Sequence, residues 1–340
     1  MTRPPPPLSL TLKSATFLTA IPVFSYILYH FLTRKPTAPP RPQKVPKNGE
    51  RVLVLGGTSG IGQSIARQYA ERGARVCVVG RRQELAEEVE GECRRAAAAG
   101  GGSTESENEN DIFAVQGDFS VVEDMVRVRA LLLTRWGGLD TLIVAAGVSA
   151  LQPLLAVAGA DCKGTDLTPM HTTAEGIQNA SDVASLAIKG NYIGPLVGAV
   201  TFIPLLSSTS GSPSILLINS VASLIPAPTR TLYASTKSAS LVLYQALSIE
   251  HPQITFTHVL PATVEGNFRA SAVDSGPVRE EDPNKFGLKR EDVAKRCIEA
   301  VDKREKHVFM PRLMRFAHLL YWIWPSFIEG KARKKYNFEA

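Results

Sequence analysis

The chain has 340 residues, 44% hydrophobic and 21% charged, with a formal net charge of +6. That is length for one α/β domain plus flanking segments, and the excess charge lies mostly in those flanks with no basic stripe interleaved with aromatics, which argues against a nucleic-acid partner. Cys77, Cys93, Cys162 and Cys297 lack paired spacing and the six histidines lack ligand spacing, so neither disulfides nor a metal site is indicated.

From Ala15 to Leu32 no lysine, arginine or carboxylate occurs, just enough to span a bilayer core. A cleaved signal peptide is the rival reading, but no small-x-small site follows. Arg34, Lys35, Arg41, Lys44 and Lys47 follow the segment, against Arg3 and Lys13 before it. The positive-inside rule then places the rest of the chain in the cytosol on a single-pass anchor, with the endoplasmic reticulum the expected membrane. Pro36 to Pro46 reads as a stiff, extended spacer.

Arg51–Leu55 is a mostly apolar run of the kind that forms a strand buried on both faces. It opens into Gly56-Gly57-Thr58-Ser59-Gly60-Ile61-Gly62, followed by a helical pattern from Gln63 to Arg72. Glycines between strand and helix allow a tight turn and close approach to a pyrophosphate, which the helix N-terminus stabilises. The next strand, Arg75–Val79, ends at Gly80-Arg81-Arg82. An acid there would hold the ribose hydroxyls of NAD; two guanidiniums suit a ribose phosphate instead, so NADP(H) is expected over NAD(H), with Arg81 the first phosphate ligand and Arg82 the second.

A strand is predicted over Ile112–Gln116, a helix over Val122–Trp136, a strand over Thr141–Ala145, a long helix around Leu186–Leu206, a strand over Ser214–Asn219 and a strand over Thr255–Leu260. This alternation predicts a doubly wound parallel sheet in a three-layer α/β/α fold. Ala96–Asp111 reads as a surface insertion. Ala158–Ser181 reads as part of an extra loop that either caps the active-site end or is an inert excursion. The segment after Val264, up to Lys289, is a second candidate for substrate selection.

Tyr233 and Lys237 lie four apart on a predicted helix and so share a face. An ammonium beside a phenol favours the phenolate and makes the hydroxyl a usable proton donor or acceptor. Ser220 closes a strand thirteen residues before Tyr233, and its hydroxyl is placed to donate to a substrate oxygen. Asn191, followed by Gly194-Pro195, is expected to open or kink its helix.

These residues together resemble the short-chain dehydrogenase/reductase family over Asn48 to Pro311. The glycine turn matches its Thr-Gly-x-x-x-Gly-Ile-Gly with Leu55 in place of the threonine, and Asn191, Ser220, Tyr233 and Lys237 match its tetrad in order and spacing. The resemblance implies a Rossmann-type fold and hydride transfer between a nicotinamide and a carbonyl or secondary alcohol. In it Tyr233 moves the proton, Lys237 lowers the Tyr233 pKa and binds the ribose, Ser220 polarises the oxygen, and Asn191 holds a water. It implies a cofactor site from Gly56, Thr58, Ser59, Gly60, Ile61, Gly62, Arg81, Arg82, Asp118, Gly147, Tyr233, Lys237, Pro261 and Val264, with Asp118 at the adenine.

Val144-Ala145-Ala146-Gly147 departs from the family's Asn-Asn-Ala-Gly, Ala262 stands where it has glycine, and Gly266 stands where a threonine often meets the cofactor. These departures leave a second reading, a catalytically weak nucleotide-binding scaffold at a membrane.

Residues 312–340 form a basic tail. Leu313, Phe316, Ala317, Leu320, Trp324, Phe327 and Ile328 recur at helical spacing, Pro325 is expected to kink the helix, and Lys331-Ala332-Arg333-Lys334-Lys335 follows. Two readings stand: a helix packed on the domain or on the partner in a homodimer, or an amphipathic interfacial helix on anionic lipid. The tail is also similar to membrane-anchored members such as the dehydrogenase/reductase member-seven group and the corticosteroid dehydrogenases, which implies a lipophilic carbonyl or alcohol substrate. The expected organisation is therefore an anchor and linker over 1–47, an NAD(P)-binding domain over 48–311, and the tail.

Overall fold

The computed structural model describes residues 40–100, 112–160, 171–276 and 282–338, together with Pro22, Ser25, Tyr26 and Tyr29. The chain divides into two units, Met1–Pro39 and Pro40–Ala340. In the first, the four described residues are helical and exposed; the rest of the expected anchor lies outside the described residues.

The second unit is built on seven parallel strands in the order β3-β2-β1-β4-β5-β6-β7. They are β1 Arg51–Leu55, β2 Arg75–Gly80, β3 Ile112–Gln116, β4 Thr141–Val144, β5 Ser214–Ile218, β6 Thr255–Pro261 and β7 His307–Met310. β1, β2, β4 and β5 are rich in Val, Leu and Ile because side chains on both faces are covered. Alternate residues of β1 supply the two core layers. Leu53 and Leu55 pack with Phe113, Leu132, Phe202 and Tyr244, whereas Val52 and Val54 pack with Ile65, Tyr69, Val259 and Cys297. This is the period-two consequence of the pleat.

The helices are α1 Gly60–Glu71, α2 Gln83–Ala99, α3 Val122–Trp136, α4 Leu154–Val157, α5 Ala174–Ile188, α6 Gly194–Thr209, α7 Thr231–Glu250, α8 Pro283–Phe286, α9 Arg290–Asp302, α10 Met314–Ile323 and α11 Pro325–Lys335. α9 and β7 were not expected. β7 is four residues long and opens on exposed His307, too little for a periodic signal; only its register with β6, Val259 opposite Val308, defines it.

Four expectations need correction. Ala96–Ala99, read as the start of an insertion, prolong α2, as good helix formers do; residues 101–111 lie outside the described set. Ala174–Ser181, read as loop, open α5, whose start is capped by the Thr173 hydroxyl accepting from the Gly176 N–H at 3.1 Å; residues 161–170 are not described. Pro325 does not kink one tail helix but starts a second, α10 ending before Trp324 at φ −140° and ψ 71°.

The fourth concerns the spacer. Over residues 40–47 it is folded onto the domain: Arg41–Gln43 makes a 3-10 turn, and Arg41 is 1% exposed. Its guanidinium pairs with Glu50 and donates to the Ser212 carbonyl at 2.8 Å, the Asp140 carbonyl at 2.9 Å and Thr141 Oγ1 at 2.7 Å. Glu50 also pairs with Arg72, which reaches Asp302. The planar guanidinium serves several acceptors at once and so ties the turn to the amino ends of β4 and β5. Arg41 is therefore a structural cation and leaves the positive-inside count.

The helical run Ala174–Thr209 is long and apolar enough to cross a membrane by composition, with 56% of its most apolar stretch buried in the domain. Phe202, Leu205 and Leu206 are core residues, so it serves as a core helix here.

Candidate active site

At the carboxyl ends of the strands lies a cavity of about 1410 Å³. It opens beside β1 and β4, where the strand order reverses, the place at which such sheets take ligands. Gly56, Thr58, Ser59, Gly60, Ile61, Gly62, Arg81, Arg82, Asp118, Gly147, Ser220, Tyr233, Lys237, Pro261 and Val264 all line it. Asn191 is fully buried behind them.

The glycine turn is shaped by close approach. Gly56 has φ +81°, and a Cβ there would lie 2.5 Å from the Ala146 backbone; only glycine serves. The main chain at the end of β4 is held to β1 by the Ala145 and Ala146 N–H groups, both donating to the Leu55 carbonyl at 2.9 and 3.0 Å. Ser59 begins α1 with no side-chain cap, so the first-turn N–H groups face the cavity as an anion site. A Cβ at Gly80 would collide with the Thr58 side chain, which fills the end of β2. Arg81 and Arg82 follow it, exposed on the rim. A pyrophosphate fits this cradle, and a phosphate on the adenosine ribose fits the two guanidiniums.

Asp118 lines the same end. Its Oδ1 accepts from the Ser120 N–H at 2.9 Å and hydroxyl at 2.7 Å, while its own N–H donates to Asp124 Oδ2 at 2.8 Å. That N–H and Arg127 hold the Asp124 carboxyl below its ordinary range.

The reactive end is assembled around Gly147. A Cβ there would lie 2.8 Å from Asn191 Oδ1 and 3.2 Å from Lys237 Nζ. Asn191 sits in a π-turn, Lys189–Ile193, between α5 and α6. An inserted residue of this kind breaks the i→i−4 ladder without ending the helix. Its side chain is bound on both ends: Oδ1 accepts from the Val148 N–H at 2.9 Å, and Nδ2 donates to the Val148 carbonyl at 3.0 Å and Thr236 Oγ1 at 3.1 Å.

Ser220 starts a 3-10 turn, Val221–Ser223, with its Oγ accepting from the Ala222 N–H at 3.2 Å. Lys237 is buried, and its Nζ donates to the Ile218 carbonyl at 3.1 Å. Burial pushes its pKa down to about 8. Tyr233 is 8% exposed, with the Phe268 ring edge-on at 6.0 Å and the Arg230 guanidinium 5.2 Å from its ring centroid.

Several contributors were not read from the sequence. Asn219 accepts from the Ser220 N–H at 2.8 Å through Oδ1 and donates from Nδ2 to the Lys237 carbonyl at 3.0 Å. It thereby fixes the serine against the turn that carries the lysine. A polar residue directly after the apolar run Ile215–Ile218 is a signal that was available. Thr236, Arg230 and Phe268 had none. The tail also enters the site: Leu313, Met314 and Ala317 around α10, with Phe327, Ile328 and Lys331 on α11, line the cavity. The opposite side of the pair leaves Leu319, Trp322 and Ile323 exposed, Ile323 by 80%.

Residues 50–275 match the family model for short chain dehydrogenase. The chain belongs to that family. Among curated relatives, the 11-beta-hydroxysteroid dehydrogenase-like 4A of Arabidopsis thaliana is 30% identical over 64% of this chain and 62% of its own length. The 11-beta-hydroxysteroid dehydrogenase-like 2 of the same plant is 26% identical over 83% of this chain and 80% of its own. The chain thus spans less than two thirds of the first of these. Among solved structures, an alcohol dehydrogenase from Thermococcus sibiricus, complexed with 5-hydroxy-NADP, superposes with a TM-score of 0.58 at 22% identity, covering 77% of this chain and 95% of that one. A short chain dehydrogenase from Burkholderia cenocepacia, in complex with NADP, gives 0.59 at 18%, over 84% and 98%. These two likenesses show the Rossmann-like fold.

Proposed function

We propose that this short-chain dehydrogenase is an NADP(H)-dependent oxidoreductase that reduces a carbonyl of a lipophilic substrate to a secondary alcohol at a membrane surface. The observation that carries the reading is the single cavity holding Ser220, Tyr233 and Lys237 at one end and the glycine turn with Arg81 and Arg82 at the other. NADPH, when bound, supplies the hydride. Tyr233 gives its phenolic proton to the substrate oxygen, and Ser220 Oγ donates to that oxygen as charge develops. Lys237 remains a cation at neutral pH and stabilises the phenolate left behind. Asn191 sets the main chain at Val148 and the turn at Thr236, which positions the wall beside Gly147.

Phe268, Ile225, Leu313, Ala317, Phe327 and Ile328 on the cavity wall favour an apolar substrate, as do the hydroxysteroid dehydrogenase names of the relatives. A steroid or a similarly rigid or long-chain lipid fits such a lining. The scaffold reading gains no support from Val144 and Ala145: Val144 is a core residue, and the turn's backbone bonds to Leu55 are made without side-chain amides.

Arg81→Ala is expected to weaken NADPH binding about 10–100-fold, the loss of one charge-assisted contact, while NADH binding stays unchanged. Fluorescence titration of both nucleotides decides it, and an equal loss for both would remove the phosphate role. Carbonyl turnover with NADPH across a panel of ketones then tests the activity.

The membrane part of the proposal joins the anchor over Ala15–Leu32, cytosol-facing and in the endoplasmic reticulum, to the exposed apolar side of α10 and the basic end of α11. The full chain is expected to stay in the membrane pellet after an alkaline carbonate wash, whereas a chain starting at Pro40 is released. Release of both would end the anchor reading.

A further inference from the structure

We propose that Arg230 is a positioning residue for Tyr233, a second cation that holds the phenol and favours its phenolate. The inference rests on the proton-transfer role given to Tyr233 above. Arg230 sits one turn before Tyr233, at the start of α7, and is 7% exposed. Its Nη1 donates to Ser149 Oγ at 2.7 Å, and its guanidinium lies 5.2 Å from the Tyr233 ring centroid. Ser149 is fully buried, and its carbonyl accepts from the Val273 N–H at 2.9 Å. The guanidinium is therefore fixed against the loop after β4 and not merely folded along its own helix.

The backbone is bent to put it there. Thr229, buried at 3% exposure, has φ +63°, a left-handed conformation that a β-branched residue rarely adopts. Strain held in place beside a reactive side chain points to a geometric requirement.

The chemistry gives the second cation a distinct use. Lys237 loses its proton in the range where burial has put its pKa, about 8, and above that range its help to the phenolate fades. A guanidinium stays charged throughout, so Arg230 keeps a cation on the ring when Lys237 is neutral. The other charged groups on this cavity are Arg269 next to Phe268, Lys189 on the π-turn, Lys331 and Lys335 on α11, Glu265 and Arg290, with Arg81, Arg82 and Asp118 at the glycine-turn end. Glu265 is engaged by Lys289 Nζ at 2.8 Å and the Arg290 N–H at 3.1 Å. Asp274, below the loop, accepts from the Leu151 and Gln152 N–H groups.

The test is an ultraviolet titration of phenolate in the cofactor-free full chain, taken as the difference between each protein and its Tyr233→Phe counterpart. This isolates Tyr233 and needs no turnover, so it reads the inference even if no carbonyl is reduced. Arg230→Gln is expected to raise the Tyr233 pKa by about one unit, as removal of a nearby opposite charge does. Arg230→Lys should recover part of that, and Ser149→Ala, which frees the guanidinium but keeps it, should give a smaller rise. The high-pH fall of kcat/KM for reduction should move upward by the same amount in Arg230→Gln. An unmoved phenol titration in Arg230→Gln overturns the proposal. If that variant does not fold, an unmoved titration in both Arg230→Lys and Ser149→Ala overturns it.

Discussion

Tyr233→Phe is expected to lower kcat/KM for NADPH-dependent carbonyl reduction by about 10²–10⁴-fold, the usual contribution of a positioned general acid. NADPH affinity should change little, because the substitution removes one hydroxyl from the substrate end while the glycine turn and Arg81 are untouched. The ring itself is held by packing: it is buried, with Phe268 on its edge and Arg230 over it. Phenylalanine keeps those contacts, so a loss of rate reads the proton and not the fold. Turnover equal to wild type across a ketone panel, with NADPH bound normally, would take Tyr233 out of the mechanism.

Lys237→Met is expected to do two opposite things: abolish reduction and stabilise the cofactor-free protein at neutral pH. Burial lowers the Lys237 pKa from 10.5 to about 8, so the folded state bears a cost of about 3 kcal/mol wherever the lysine is charged in both states. The single bond to the Ile218 carbonyl, about 1 kcal/mol, is lost in the variant, which leaves a net gain of about 2 kcal/mol. The pH dependence follows from the protons bound. Between pH 8 and 10.5 the folded lysine is neutral while the unfolded one is still charged, so wild-type stability rises with pH across that window. The advantage of methionine is therefore full below pH 8 and disappears toward pH 10.5. Urea denaturation at pH 7 and pH 10 measures both points; a variant less stable than wild type at pH 7 would show that the ammonium is stabilised by its surroundings and not penalised by them.

Opposition between stability and activity at one residue is what a buried, weakly solvated cation produces. The bound cofactor's ribose is its intended partner in the mechanism proposed above, and without it the desolvation cost stands uncompensated. The same reasoning separates Lys237 from Arg41. Both are nine-tenths or more buried, but Arg41 faces Glu50 and three further acceptors within the chain, so its cost is answered inside the fold.

The sequence by itself determined the alternation of strands and helices, because apolar runs and helical periods are local. It likewise determined the glycine turn, the missing acid after β2, and the Tyr233–Lys237 pair, since each is a short pattern whose geometry follows from its own backbone. Tertiary structure alone decided how the site is braced. Asn191 meets Val148, Arg230 meets Ser149, Asn219 meets the Lys237 turn, and Arg41 meets Ser212. It also brought α10 and α11 onto the cavity, from more than seventy residues beyond Tyr233. Each of the four hydrogen bonds joins groups distant along the chain, through a polar atom that must find a partner. No local period encodes which distant atom that will be.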